Sequence, residues 1–342
     1  MEFHLAGGYH TLNGEGRNGT VCLDKITSGS CSAFPMKVSI IGARKKRSGI
    51  GEYIGKYFHR NGATITSVLG TAEKTARDAS LSLGKYGIDS TPYTDFYKMV
   101  ESEKPDTVVI ASPPSTHYEY LVKCVDLGLN VFCEKPFVWQ ETNDIRGIVN
   151  HLFEKAGQKH VTITMNSQWP FSIRYYEEMC GRIDIEKTST FSITMSPRSR
   201  GKEMIPESLP HVLSMLYSVF GDGEIVDLLF QFDKDKMVVT FQYQSEKNDC
   251  DVFIDLVRKV QQPRDFCFGF NDKIVHRVLD LKDYDIYFVY EDKKIKIIDP
   301  LELSVRDFVG AVGGQREPLI GYHHIMSNMS LLKGIYDACP DV

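Results

Sequence analysis

Between Met36 and about residue 166, short β-branched runs alternate with helix-length segments, an order that few architectures other than a parallel α/β sheet accommodate. The runs are Val38–Ile41, Ile65–Leu69, Thr107–Ala111, Asn130–Cys133 and Val161–Met165. They are continuous rather than alternating, as strands buried on both faces require. Between them Glu52–Arg60, Ala72–Leu83, Phe96–Ser102, His117–Leu127 and Asn143–Lys155 carry helical spacing. A doubly wound parallel sheet is the expected product. The pattern then changes. A helix-rich stretch at Phe171–Cys180, a strand around Thr190–Met195 and a helix around Leu209–Phe220 lead into residues 224–299. That region predicts successive strands, with turns at Asp233-Lys234-Asp235, Ser245–Asp249 and Glu291-Asp292-Lys293. Helices at Leu303–Ala311 and His323–Ala338 follow. The expected fold class is α/β plus α+β: an N-terminal doubly wound parallel sheet, then an open, mainly antiparallel sheet.

Residues 1–35 are rich in Gly, Ser, Thr and Asn and show no sustained period, so they read as an irregular extension. Met36, immediately before the first strand, reads like a natural chain start. The expected organisation is an extension over 1–35, a nucleotide-binding domain over 36–166 and a substrate and oligomerisation domain over 167–342. A chain of 342 residues is long enough for two cores. Its net charge of -5 implies no broad basic surface and argues against nucleic-acid binding. No apolar stretch approaches a membrane span, and the N-terminus lacks a signal-peptide layout. The eight cysteines are scattered, without CxxC or zinc-like spacing. Reduced, mostly buried thiols in a cytoplasmic protein are expected, and no metal site.

The run Val131-Phe132-Cys133 ends abruptly in Glu134-Lys135-Pro136. A buried strand normally avoids an ionisable pair, yet ligands of open parallel sheets bind at the carboxyl ends of strands. Pro136 fixes the backbone after Lys135, so the ammonium is aimed. After the first strand, Gly42-Ala43-Arg44 runs through a basic stretch to Gly49-Ile50-Gly51 and Gly55. Such glycines allow a tight turn and close approach of backbone to a pyrophosphate, which the following helix N-terminus holds. The spacing departs from GxGxxG by an insertion after Gly42. At the end of the second strand, where NAD sites carry a carboxylate for the ribose hydroxyl, stand Gly70 and Thr71, with Lys74 close behind. A carboxylate would repel a 2′-phosphate, and its absence beside a hydroxyl and an ammonium favours NADP, with NAD the alternative.

These residues together resemble the Gfo/Idh/MocA family of NAD(P)-dependent oxidoreductases, over residues 36 to about 340. The likeness is strongest in Val109-Ile110-Ala111-Ser112-Pro113-Pro114-Ser115-Thr116-His117, followed by Asn130 to Pro136. Glu207-Ser208-Leu209-Pro210-His211 is similar to the family's Asp-x-x-x-His, with Glu for Asp, ahead of a helix ending Phe220-Gly221. Pro210 predicts that Glu207 lies just before that helix and His211 in its first turn. The resemblance implies a Rossmann domain, then an open antiparallel sheet used for homo-oligomer contacts. It also implies a cofactor site that includes Ser112, Pro113, His117, Glu134 and Lys135. Asn166-Ser167-Gln168-Trp169-Pro170 departs from the segment of many sugar-using members, as does the basic loop Arg198-Ser199-Arg200-Gly201-Lys202.

The expected chemistry is hydride transfer between a nicotinamide and a sugar-like or other small polar alcohol or carbonyl. Lys135 would bind the reacting atom, His211 relay the proton and Glu207 orient His211. Arg198, Arg200 and Lys202 are candidates for an anionic substrate. The alternatives are an imine or other unsaturated-group reductase, and a protein that senses NADP(H) without turnover.

Overall fold

The computed structural model describes residues 35–43, 50–139 and 144–341. The proposed 1–35 extension, Arg44, Gly49 and the basic stretch between them, and Asn143 lie outside these residues, apart from Pro35. Six parallel strands form the first sheet: β1 (Lys37–Ile41), β2 (Thr64–Leu69), β3 (Thr91–Tyr93), β4 (Thr107–Ile110), β5 (Asn130–Glu134) and β6 (Ile163–Asn166). Their order is β3-β2-β1-β4-β5-β6, so the chain reverses direction across the sheet between β1 and β4. Crossovers run through α1 (Gly51–Arg60), α2 (Glu73–Gly84), α3 (Phe96–Glu103), α4 (His117–Asp126) and α5 (Ile145–Lys159). Each expected strand and helix is present within a few residues. The three-residue β3, which contains Pro92, was not foreseen. A proline fits there because β3 is the sheet edge.

After α6 (Ile173–Cys180) come β7 (Thr190–Met195) and the long α7 (Met204–Phe220). Strands β8 (Gly223–Asp233), β9 (Lys236–Ser245), β10 (Asp249–Val257), β11 (Phe266–Phe270), β12 (Lys273–Asp280), β13 (Asp285–Tyr290) and β14 (Lys293–Ile297) complete an eight-stranded sheet. Its order is β14-β13-β12-β11-β7-β10-β9-β8, antiparallel except where β10 meets β7. β10 alternates strictly between buried and outward residues, the signature of one covered face. The inner face meets α7, which is buried almost all round.

The last two helices return to the first sheet. Leu301, Val305 and Phe308 of α8 (Pro300–Val312) join Val38, Ile40, Phe58 and Phe132 in one core on one side of it. On the other side, α9 (Tyr322–Ala338) packs against α5 and α7, in a core that runs on into the second sheet. Phe308 is fully buried, edge-on to Phe58 and Phe132 with centroids 6.0 and 5.5 Å away. Truncating it leaves a cavity between α8 and the sheet, so Phe308→Ala is expected to cost about 3–5 kcal/mol in urea unfolding. A loss near zero would show that α8 does not complete this core.

Candidate active site

The turn after β1 fits the close approach that the glycines suggested. Gly42 has φ +87°, and a Cβ there would lie 2.6 Å from the Ala111 carbonyl oxygen. A Cβ on Gly51, the first residue of α1, would lie 2.8 Å from the Gly42 oxygen. Ala43 is fully buried, and Ile50 caps α1 without offering a side-chain acceptor. The helix N-terminus therefore meets the carboxyl ends of β1 and β4 with no side-chain cap from Ile50, which suits an anionic diphosphate. At the end of β2, a Cβ on Gly70 would lie 2.5 Å from the Ala76 nitrogen. A carboxylate cannot stand at that position unless the start of α2 moves. Thr71 and Lys74 are exposed beside it.

At the carboxyl end of β5, Glu134 accepts a hydrogen bond from Asn166 Nδ2 of β6, whose Oδ1 accepts from Ser304 of α8 at 3.0 Å. Burial pushes the Glu134 carboxyl up to about 7, against that bond and the neighbouring ammonium. Lys135 Nζ donates to the backbone carbonyl of Glu207 on α7, tying the first sheet to the helix that backs the second. Burial lowers the Lys135 pKa, while Glu134 and Glu207 oppose that shift and Arg264 adds to it.

Glu207 and His211 sit on α7, but not as expected. The helix starts at Met204, so Glu207 is inside its first turn and Pro210 is internal. Pro206 is tolerated because first-turn N–H groups need no helical acceptor. The expected Glu207–His211 pairing is also corrected. The Glu207 carboxylate accepts from Arg198 N (2.9 and 3.0 Å), Ser199 N (2.9 Å) and Ser199 Oγ (2.6 Å). Burial alone would raise its pKa, but these donors and Lys135 hold it below the usual carboxylate range. Glu207 therefore fastens the loop after β7.

His211 Nδ1 lies 3.1 Å from Ser167 Oγ, and that hydroxyl donates to the Pro210 carbonyl at 3.2 Å. This arrangement puts the imidazole proton on Nδ1 and leaves the lone pair on Nε2. Burial, then the charges of Lys135 and Arg264, lower the His211 pKa well below its usual value, so the ring is neutral. His117, expected at the cofactor, is fully buried instead. Its nitrogens lie 2.9 Å from the Ser112 carbonyl and 2.8 Å from that of Pro136. It clamps the exit of β4 to the exit of β5. Ser112 Oγ pairs with Thr116 at 2.7 Å, and Pro113 is exposed just before α4.

Glu134, Lys135, Glu207 and His211 line one cavity of about 740 Å³, which also reaches Ile50 and Tyr53 at the start of α1. Its far wall is Trp169 stacked on Phe266, with centroids 3.6 Å apart, beside Arg264 and Arg277. Sequence reasoning passed over both arginines, although Arg277 interrupts an inward apolar register on β12. The basic loop contributes less than expected. Arg198 lines the cavity, but Arg200 pairs with Asp235 at 2.8 Å and Lys202 with Asp341 at 3.0 Å. Among the described residues no cluster of His, Cys, Asp and Glu is arranged to hold a metal.

The strand order and the closely packed Gly42 and Gly51 are those of a Rossmann dinucleotide-binding fold. Residues 36–166 match the model of the Gfo/Idh/MocA oxidoreductase family, NAD-binding Rossmann fold. D-glucoside 3-dehydrogenase of Escherichia coli K12 is 30% identical over 105 residues, 31% of this chain and 28% of that protein. Inositol 2-dehydrogenase of Klebsiella pneumoniae 342 is 28% identical over 130 residues, 37% of this chain and 36% of that protein. The matched stretches thus span about a third of these curated relatives. A 3-ketoreductase from Actinomadura kijaniata in complex with NADP superposes with TM-score 0.67 at 15% identity, covering 90% of this chain and 99% of that one. UDP-N-acetylglucosamine 3-dehydrogenase from Acidithiobacillus ferrooxidans gives 0.65 at 15% identity, covering 90% and 98%. At these identities the likeness is one of fold.

The raised pKa of Glu134 makes the stability of the fold depend on pH. Its ordinary pKa is 4.5 and its folded value about 7, so between them the native state holds more protons than the unfolded chain. This term therefore weakens stability as pH rises through that window. Glu134→Gln removes it, and the variant is expected to gain on the order of 2 kcal/mol relative to wild type across the window in urea midpoints. A difference that does not change with pH would contradict this account of Glu134.

Proposed function

We propose that the protein is an oxidoreductase that interconverts an alcohol and a carbonyl on a sugar-like substrate, with NADP preferred over NAD. The observation that carries this is the placement of Lys135 and His211 in one cavity that reaches the start of α1. The nicotinamide would supply the hydride acceptor or donor. Gly42, Ala43, Ile50 and Gly51 would hold the diphosphate, with Glu134 and Lys135 at the nicotinamide end. In the oxidising direction, Lys135 binds the substrate hydroxyl oxygen and stabilises its developing negative charge. The hydroxyl proton passes to His211 Nε2, while Ser167 keeps the imidazole in the tautomer that can receive it. In the reducing direction the same groups return the proton to the carbonyl oxygen. The carboxylate-free end of β2, which the start of α2 enforces, supports the NADP preference.

The dehydrogenase names of the curated relatives agree with this reaction class. Leu229, Phe253 and Val278 are exposed on the outer face of the second sheet, which supports a homo-oligomer formed through that face. A cytoplasmic location agrees with the six cysteines of the described residues, none of them in a disulfide.

Lys135→Met is expected to keep NADPH binding within a few-fold and to lower turnover on a responsive sugar by roughly a thousandfold or more. Fluorescence titration of NADPH and steady-state kinetics read the two effects separately. Unchanged turnover would remove Lys135 from the chemistry. NADPH binding with no turnover on a broad polyol and imine panel would favour the sensing alternative.

A further inference from the structure

The inward register of β12 contains one residue that does not belong in a core. Val275 is fully buried there, Leu279 lines the cavity, and Arg277 lies between them opposite Phe288 of β13. The Arg277 guanidinium lies over the rings of Trp169 and Phe266, 5.4 and 5.5 Å from their centroids. One Nη donates to the Arg264 backbone carbonyl, and Nε is buried with no hydrogen-bond partner. Arg264 lines the same cavity. Its nearest carboxylate is Glu207 at 3.6 Å, whose oxygens already accept from Arg198 and Ser199. The other acids at this wall are engaged elsewhere: Asp265 with Lys259 at 2.9 Å, and Asp299 with the Tyr57 hydroxyl at 2.7 Å.

Glu207 is thus the one close carboxylate of Arg264, and Arg277 pairs with no carboxylate among the described residues. Burying such cations is costly unless an anion completes them. Their planar donors match carboxylate or phosphate geometry. We propose that Arg264 and Arg277 bind an anionic group of the substrate, a carboxylate or a phosphate, so that the protein acts on an acidic sugar rather than a neutral polyol. This rests on the cavity being the substrate site of the proposed oxidoreductase. The Trp169–Phe266 stack beside the arginines offers an apolar wall for the ring of such a sugar. Arg264 is also near enough to disfavour protonation of Lys135 and His211, so an anion bound there would couple to the proton-handling groups.

The test is calorimetric binding to NADPH-loaded protein, using D-glucuronate, glucose 6-phosphate and myo-inositol as probes. At least one acid is expected to bind more tightly than myo-inositol, with affinity falling as salt is raised. Arg277→Met and Arg264→Met should each weaken that acid roughly ten- to a hundredfold, well beyond any change in myo-inositol affinity, and Arg277→Lys should restore part of the loss. Which acid binds separates carboxylate from phosphate. The proposal is overturned if neither acid outcompetes myo-inositol, or if both methionine variants bind the acid as wild type does. Should a methionine variant fail to fold, the wild-type contrast between acid and neutral sugar and its salt dependence decide. Turnover of neutral polyols with none of any acidic sugar would overturn this assignment and leave the oxidoreductase reading standing. Acid binding without any hydride transfer would do the reverse.

Discussion

The bond from the Lys135 ammonium to the Glu207 carbonyl is the constraint on which the site depends. One end is fixed by β5, the other by a helix that the second sheet buries. Without it, the buried ammonium would lose its backbone acceptor and the strand exit its tie to α7. With it, Glu134, Asn166 and Ser304 form a chain of hydrogen bonds from the same strand end into α8. The two sheets are therefore joined at the point where chemistry is expected, and α8 and α9 reinforce the joint by returning to the first sheet.

Electrostatics at this joint favour groups near a change of protonation. Burial lowers Lys135 and His211 and raises Glu134, each shift moving the group toward its uncharged form. Glu207 is the exception, since three donor groups keep it ionised while it secures the loop after β7. A lysine and a neutral histidine thus line one cavity.

Much of this was legible in the sequence, and the parts that were not have physical reasons. Runs such as Val108–Ile110 are fully buried on both faces, so their composition alone marks them as central strands. Glu134-Lys135 stood out because charge at the end of such a run is expensive. The start of α7 was misplaced because Pro210 reads as a helix boundary, whereas tertiary burial carries the helix through it. The roles of Glu207 and His117 depend on backbone partners contributed by other segments, which no local pattern encodes. Arg277 carried a local signal, an arginine at an inward position of a strand, but it becomes meaningful only once the facing cavity is known.

The proposed placement of Lys135 at the nicotinamide end of a dinucleotide site is open to direct test. Amine-selective labelling of the protein with a dilute acylating reagent, read by mass spectrometry with and without saturating NADPH, tests it without knowledge of the substrate. Lys135 is expected to react in the free protein, helped by its lowered pKa, and to be protected when NADPH is bound, while Lys123 and Lys333 are unaffected. Equal labelling of Lys135 in the presence and absence of bound NADPH would contradict the claim.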